Sequence, residues 1–197
     1  MITIVDEALE HFSAREALLD LGFGEDRHLK TCERLRAGRI PVFAYVALDE
    51  AGKLAGTVRL WSVQDEGGQS SLLLGPLAVA SEFRGRGVGD RLMRHALNQA
   101  STHGHGSVIL VGDPAYYERF GFSSGKLERV ILPGPFEQHR FLGVELLPGQ
   151  LAELNGVLKA SGDFQVNASG TADPSRGVEP SPAEQVIFHQ EKCGSKA

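Results

Sequence analysis

The stretch from Leu77 to Asp90 constrains this chain more than any other. An almost wholly apolar run, Leu72 to Val79, has the pattern of a central strand buried on both faces. It leads into Arg84-Gly85-Arg86-Gly87-Val88-Gly89, and directly behind that turn Val88, Leu92, Met93, Ala96, Leu97 and Ala100 form one apolar stripe at helical spacing. Strand, glycine-rich turn and amphipathic helix therefore follow one another without a gap. The first turn of a helix carries N–H groups with no internal partner and the positive end of the helix dipole. Gly85, Gly87 and Gly89 allow positive φ and close approach of a ligand to the backbone, and Arg84 and Arg86 add positive charge. Such a turn is suited to a diphosphate. The spacing is Gly-x-Gly-x-Gly, which differs from the dinucleotide fingerprint Gly-x-Gly-x-x-Gly, and no Gly-Lys-Ser/Thr follows as in a Walker loop.

The rest of the chain supplies the surroundings for this unit. Ile2 to Val5 has the composition of an edge strand, and Glu7 to Leu21 that of a helix stopped by Gly22 and Gly24. Leu29, Cys32 and Leu35 continue at helical spacing until Gly38. Val42 to Leu48 and Leu54 to Val63 are expected to pair across an Asp49-Glu50-Ala51-Gly52 turn. Ser107 to Val111 is a second buried strand, and Asp113-Pro114 is an N-cap followed by proline at the first helical position. Arg140 to Leu146 is a late strand. Helices alternate with strands but early hairpins break a doubly wound pattern, so the class is α/β or α+β with a mixed sheet. Residues 1–160 are expected to form one domain. From residue 161 Gly, Ser, Pro, Asp and Glu dominate, the composition of a flexible tail, with Val186-Ile187-Phe188 as its apolar exception.

Charge and cysteine usage narrow the function classes. A formal net charge of −5 does not favour nucleic acid. Cys32 and Cys193 are far apart, lack metal-type spacing and are expected to be free thiols in a reducing compartment. The seven histidines show no ligand spacing, so no metal is expected. The N-terminus lacks a secretory pattern, and no segment has the length and apolarity of a membrane span. The expected location is cytoplasmic. A homodimer is left open.

Arg84-x-x-Gly87-x-Gly89 resembles the Arg/Gln-x-x-Gly-x-Gly/Ala signature of the GNAT superfamily of N-acetyltransferases, in particular its small bacterial branch. A second block, Tyr116-Tyr117-Glu118-Arg119-Phe120-Gly121-Phe122, resembles the family's Tyr-x-x-x-Gly-Phe segment. The strand, helix and second strand between these motifs occur in the family's order, over most of residues 40–125. The resemblance implies a mixed, mostly antiparallel central sheet that splays between two parallel central strands, Leu72–Val79 and Ser107–Val111, with flanking helices. It implies acetyl-CoA as cosubstrate, bound in the splay, with its pyrophosphate on Arg84, Gly85, Arg86, Gly87, Val88 and Gly89. Pro76 has no N–H to give a neighbouring strand and Gly75 permits a bulge, so Gly75-Pro76 is the expected point of separation. The backbone groups of Leu77 and Val79 would then pair with the pantetheine arm.

By the same resemblance Tyr117, four residues before Gly121, takes the place of the general acid that protonates the departing thiolate. A phenol with reference pKa of about 10 keeps its proton at neutral pH. A backbone N–H near Leu77 is placed to stabilise the oxyanion. The expected acceptor is a primary amine of a small molecule or a protein. A glutamate commonly found on the splayed strand is missing here, since Ser70 to Val79 contains no acidic residue. That leaves a water relay, a base from elsewhere or an amine that arrives neutral. Asp113 has the position of a cap, and Glu25 and Asp26 that of solvated surface residues. The alternative is a non-catalytic acyl-CoA-binding module that regulates a partner.

Overall fold

A computed structural model describes residues 1–165. The chain begins with β1 (Thr3–Asp6), passes a short 3-10 turn and forms α1 (Phe12–Phe23). β2 (Phe43–Leu48), β3 (Leu54–Gln64) and β4 (Ser70–Val79) follow as a meander. Then come α2 (Val88–Thr102), β5 (Ser107–Val111), α3 (Pro114–Tyr117), β6 (Val130–Ile131) and β7 (Phe141–Glu145), and last α4 (Gln150–Glu153), β8 (Gly156–Val157) and β9 (Lys159–Ala160). The main sheet has the order β1-β2-β3-β4-β5-β7, with β9 added beside the end of β3, and β6 pairs with β8 separately. Every pairing in the main sheet is antiparallel except β4–β5, which is parallel. This is the mixed, helix-flanked sheet expected from the sequence, with its two parallel strands at the centre.

Alternation along β4 distributes the core over both faces of the sheet. Leu72 and Leu74 pack with Leu92, Met93 and Ala96 of α2, and Leu73 lies on the opposite face with Trp61, Ile109, Leu127 and Phe141. The α2 stripe is buried as its spacing requires, with Leu97 at its half-buried edge. Fully burying side chains such as Leu92 or Met93 contributes about 1.5–3 kcal/mol each.

Two stretches differ from the sequence reading. Leu29, Cys32 and Leu35 lie on two 3-10 segments, Glu25–Leu29 and Thr31–Leu35, separated by the extended residue Lys30. Their strict three-residue spacing matches the three residues per turn of a 3-10 helix better than the 3.6 of an α-helix. The body also continues past residue 160. Ser161 N donates to Ser62 O (3.1 Å), Ile40 N to Asp163 O (2.7 Å) and Gln165 N to Gly38 O (2.8 Å), and the Arg39 guanidinium lies 3.7 Å from the Phe164 ring centre. The apolar trio Val186-Ile187-Phe188 lies outside the described residues. Residues 161–165 are thus bonded to the body of the domain. A chain ending at Ala160 loses these bonds, and at about 1 kcal/mol per hydrogen bond it is expected to melt several degrees below a chain ending at Gln165. Thermal melts of the two truncations measure the difference.

Candidate active site

The turn before α2 has the geometry its glycines suggest, with one exception. Gly85 (φ 73°) and Gly87 (φ 71°) are left-handed, and Gly87 is the N-cap of α2. No side chain caps that helix, so its first N–H groups face outward. Built Cβ atoms at Gly85 and Gly87 would meet nothing within 4 Å, so no protein atom crowds the turn at these positions. Gly89 differs, because it lies inside the helix without a positive φ. A Cβ there would sit 2.6 Å from the Tyr116 hydroxyl, so its role is to let that tyrosine approach α2. Arg84 and Arg86 are exposed beside the turn; Arg84 Nε donates to Val79 O (3.4 Å) and Arg86 lies over the Phe83 ring.

Upstream of the turn the central strands separate. β4 and β5 are in register at Leu72 with Val108 and at Leu73 with Ile109, and not beyond. On its other edge β4 stays paired to β3 as far as Val79, with Gly75 and Pro76 together opposite Arg59 as a bulge. Trp61 Nε1 donates to Gly75 O (2.7 Å) across that bulge. Ala80 N donates to Ala55 O (3.0 Å) on the β3 side. Successive residues of a strand address opposite neighbours, so Leu77 and Val79 present their N–H and C=O to the side that β5 has left. The sequence placed the separation at Gly75-Pro76, and the pairing ends at Leu73, two residues before Gly75.

β5 leads through Gly112 to Asp113, whose side chain accepts from Ala115 N (3.2 Å) and caps α3 in the predicted manner. α3 carries both tyrosines to the mouth of the splay. Tyr117 packs against Gly112 so closely that a Cβ there would lie 2.1 Å from its ring, and it meets Phe122 and Tyr116 edge-on. Burial, aided by the neighbouring Tyr116, pushes the Tyr117 phenol up to about 12. Tyr116 is also pushed up, chiefly by burial, and stands beside the Arg119–Asp90 ion pair (2.6 Å) at the start of α2. Gly112→Ala must displace the Tyr117 ring. If Tyr117 acts on the substrate, this change is expected to lower kcat by about tenfold or more while leaving acetyl-CoA affinity near wild type, because small misplacements of a reacting group are costly. Steady-state kinetics together with calorimetric titration check it.

A cavity of about 910 Å³ runs through the splay. Leu77, Val79, Tyr116 and Tyr117 line one part of it. The other part is walled by Phe23, Leu29, Lys30 and Arg36 before β2 and by Phe136 and Arg140 before β7. Thr31 Oγ1 bonded to Pro135 O and Arg34 Nη1 bonded to Pro133 O (2.9 Å) hold those two segments together. The sequence reading missed this second wall. Glu25 and Asp26 do not line the cavity, whose acidic residues are Asp113 and Glu137. Among the described residues no group of metal-ligating side chains gathers. No described helix is long and apolar enough to cross a membrane.

Residues 42–124 match the family described as acetyltransferase (GNAT) domain. The chain is 33% identical over 108 residues to the uncharacterized N-acetyltransferase YhbS of Escherichia coli (strain K12), covering 54% of this chain and 65% of YhbS. It thus spans just under two thirds of that curated relative. The crystal structure of the Escherichia coli YhbS in complex with CoA superposes with a TM-score of 0.71 at 27% identity, over 81% of this chain and 89% of that one. A GNAT family acetyltransferase from Brucella melitensis, solved with acetyl-CoA, shares the fold at a TM-score of 0.63 and 21% identity, over 82% of this chain and 96% of that one.

Proposed function

We propose that this chain, whose residues 42–124 match the acetyltransferase (GNAT) domain family, transfers the acetyl group of acetyl-CoA to a primary amine by direct attack. One observation carries this reading. A single cavity joins the unpaired edge of β4 to the Tyr117 phenol, and β4 leads from it into the uncapped turn at the start of α2. The CoA held by the similar YhbS structure supports the choice of cosubstrate. In this reading the pyrophosphate sits on the N–H groups of Arg84 to Gly89, with Arg84 and Arg86 beside it. The pantetheine arm takes the vacated place beside Leu77 and Val79 as a substitute strand. The Leu77 N–H faces the thioester oxygen and stabilises it as charge develops.

The amine nitrogen forms a bond to the thioester carbon, and the tetrahedral adduct then expels the CoA sulfur. Tyr117 gives its proton to that sulfur. With its pKa at about 12 the phenol holds the proton throughout the neutral range, but it is a weaker acid than a thiol of about 8.5. The donation is therefore favourable when the phenol is refilled as it gives, from the proton on the newly acylated nitrogen. The products are an amide and the CoA thiol. No carboxylate stands on the splayed part of β4, so the amine enters neutral or loses its proton to water or to the rim acids Asp113 and Glu137.

The sign of the pH dependence follows. Raising the pH supplies more neutral amine, and the raised phenol keeps its acid form until about 12. kcat/KM is expected to climb and level off near the amine's own pKa, with no fall up to pH 10. A thiol-release assay across an amine panel measures this profile. A descending limb between pH 7 and 10, with the fold intact, contradicts the role given to Tyr117.

A further inference from the structure

We propose that the acceptor carries an anionic group, a carboxylate or phosphate, close to its reactive amine, and that Arg36 receives it. This rests on the transferase reading above. Arg36 lies beside the β4 bulge where the central strands separate. Its side chain is only 11% exposed. Nε donates to Cys32 O (3.1 Å) and Nη2 faces Glu33 at 3.4 Å, which fixes the plane of the guanidinium. Nη1 accordingly points over the bulge, where a Cβ built on Gly75 would lie 3.6 Å from it. Among the described residues no hydrogen-bond acceptor serves Nη1, nor is any buried side-chain nitrogen left sealed without a partner, so this nitrogen opens into the cavity.

Gly75 is two residues from Leu77, the position given to the thioester, so a group on Nη1 lies within reach of the acetyl carbon. The surrounding charge agrees. Lys30, Arg140, Asp113 and Glu137 also line the cavity, all four exposed, so Arg36 is the charged lining residue withdrawn from solvent. A pocket built for a simple cationic amine would place a carboxylate at its floor. This one places a guanidinium there, in a chain whose net charge is −5. A guanidinium held in plane by two of its nitrogens is suited to an oxyanion rather than to a neutral carbonyl. The apolar side chains Phe23, Leu29, Leu132 and Phe136 suit a hydrocarbon or aromatic body on the same molecule.

The test uses product pairs that differ only in the anion and does not depend on turnover. N-acetylphenylalanine is compared with N-acetylphenethylamine, and N-acetyl-O-phosphoethanolamine with N-acetylethanolamine. Each is titrated calorimetrically into the full chain saturated with CoA. The acidic member of at least one pair is expected to bind about tenfold or more tightly than its neutral partner, the scale of one charge-assisted bond. The pair that shows the preference distinguishes carboxylate from phosphate. Arg36→Gln is expected to abolish the preference and Arg36→Lys to keep part of it, both with CoA affinity unchanged. Equal affinities within both pairs, no measurable binding of either acidic member, or a preference that survives Arg36→Gln overturns the proposal. Failure of the transferase reading shows separately, as preferential binding of the acidic ligands without acetylation of the corresponding free amines.

Discussion

Tyr117→Phe is expected to lower kcat for acetyl transfer by about a hundredfold or more, the scale of losing a general acid. The substitution keeps the ring that packs on Gly112 and against Phe122, so the fold and the wall of the cavity persist. Acetyl-CoA affinity is expected to change little, because the hydroxyl acts mainly once charge has moved onto sulfur. Tyr116→Phe is the comparison. Its hydroxyl rests against Gly89 and beside the Asp90–Arg119 pair, and its loss is expected to be mild. Kinetics of both variants with an amine identified in the panel decide between them. Wild-type turnover by Tyr117→Phe, with chemistry rate-limiting, removes the residue from the mechanism, and the reverse ranking transfers the role to Tyr116.

Gly87→Glu is expected to abolish stabilisation by acetyl-CoA. At about a hundred times its dissociation constant a ligand that binds only the folded state adds about 2.7 kcal/mol, roughly 5–10 °C in Tm for a chain of this size. A Cβ at Gly87 meets no protein atom within 4 Å, and glutamate there adds a negative charge at the turn given to the pyrophosphate. The left-handed φ of 71° adds strain of about 1–3 kcal/mol to the variant without ligand. Its starting Tm falls, and the quantity to compare is the shift on adding acetyl-CoA. A wild-type shift in the variant places the phosphates elsewhere.

The backbone of the glycine-rich turn before α2 could be read in the sequence, because glycine is how a sequence encodes unusual backbone. Gly85 and Gly87 are left-handed as that reading requires. α2 was legible for a second reason, since one stripe at a fixed period has only one face to bury. Gly89 and Gly112 show the limit. Both make room for a tyrosine, and a close approach between distant residues leaves no local pattern. The second wall of the cavity is the extreme case. Phe23, Arg36, Phe136 and Arg140 come from segments joined by bonds such as Arg34 Nη1 to Pro133 O, and no spacing links them. Composition likewise marked residue 161 as the start of a tail, although its backbone bonds continue to Gln165, because composition does not register main-chain hydrogen bonds.

Acetyl-CoA labelled with carbon-13 at the acetyl carbonyl tests the central claim most directly. The carbonyl resonance is followed by NMR with the protein and an amine that the panel identifies, or with the pooled panel. Transfer through the splay predicts that the thioester signal is replaced by an amide signal, only when protein and amine are both present, and about a hundredfold more slowly with Tyr117→Phe. A label that stays on the thioester while acetyl-CoA is bound, the behaviour of a non-catalytic acyl-CoA module, or one that appears only as free acetate, contradicts it.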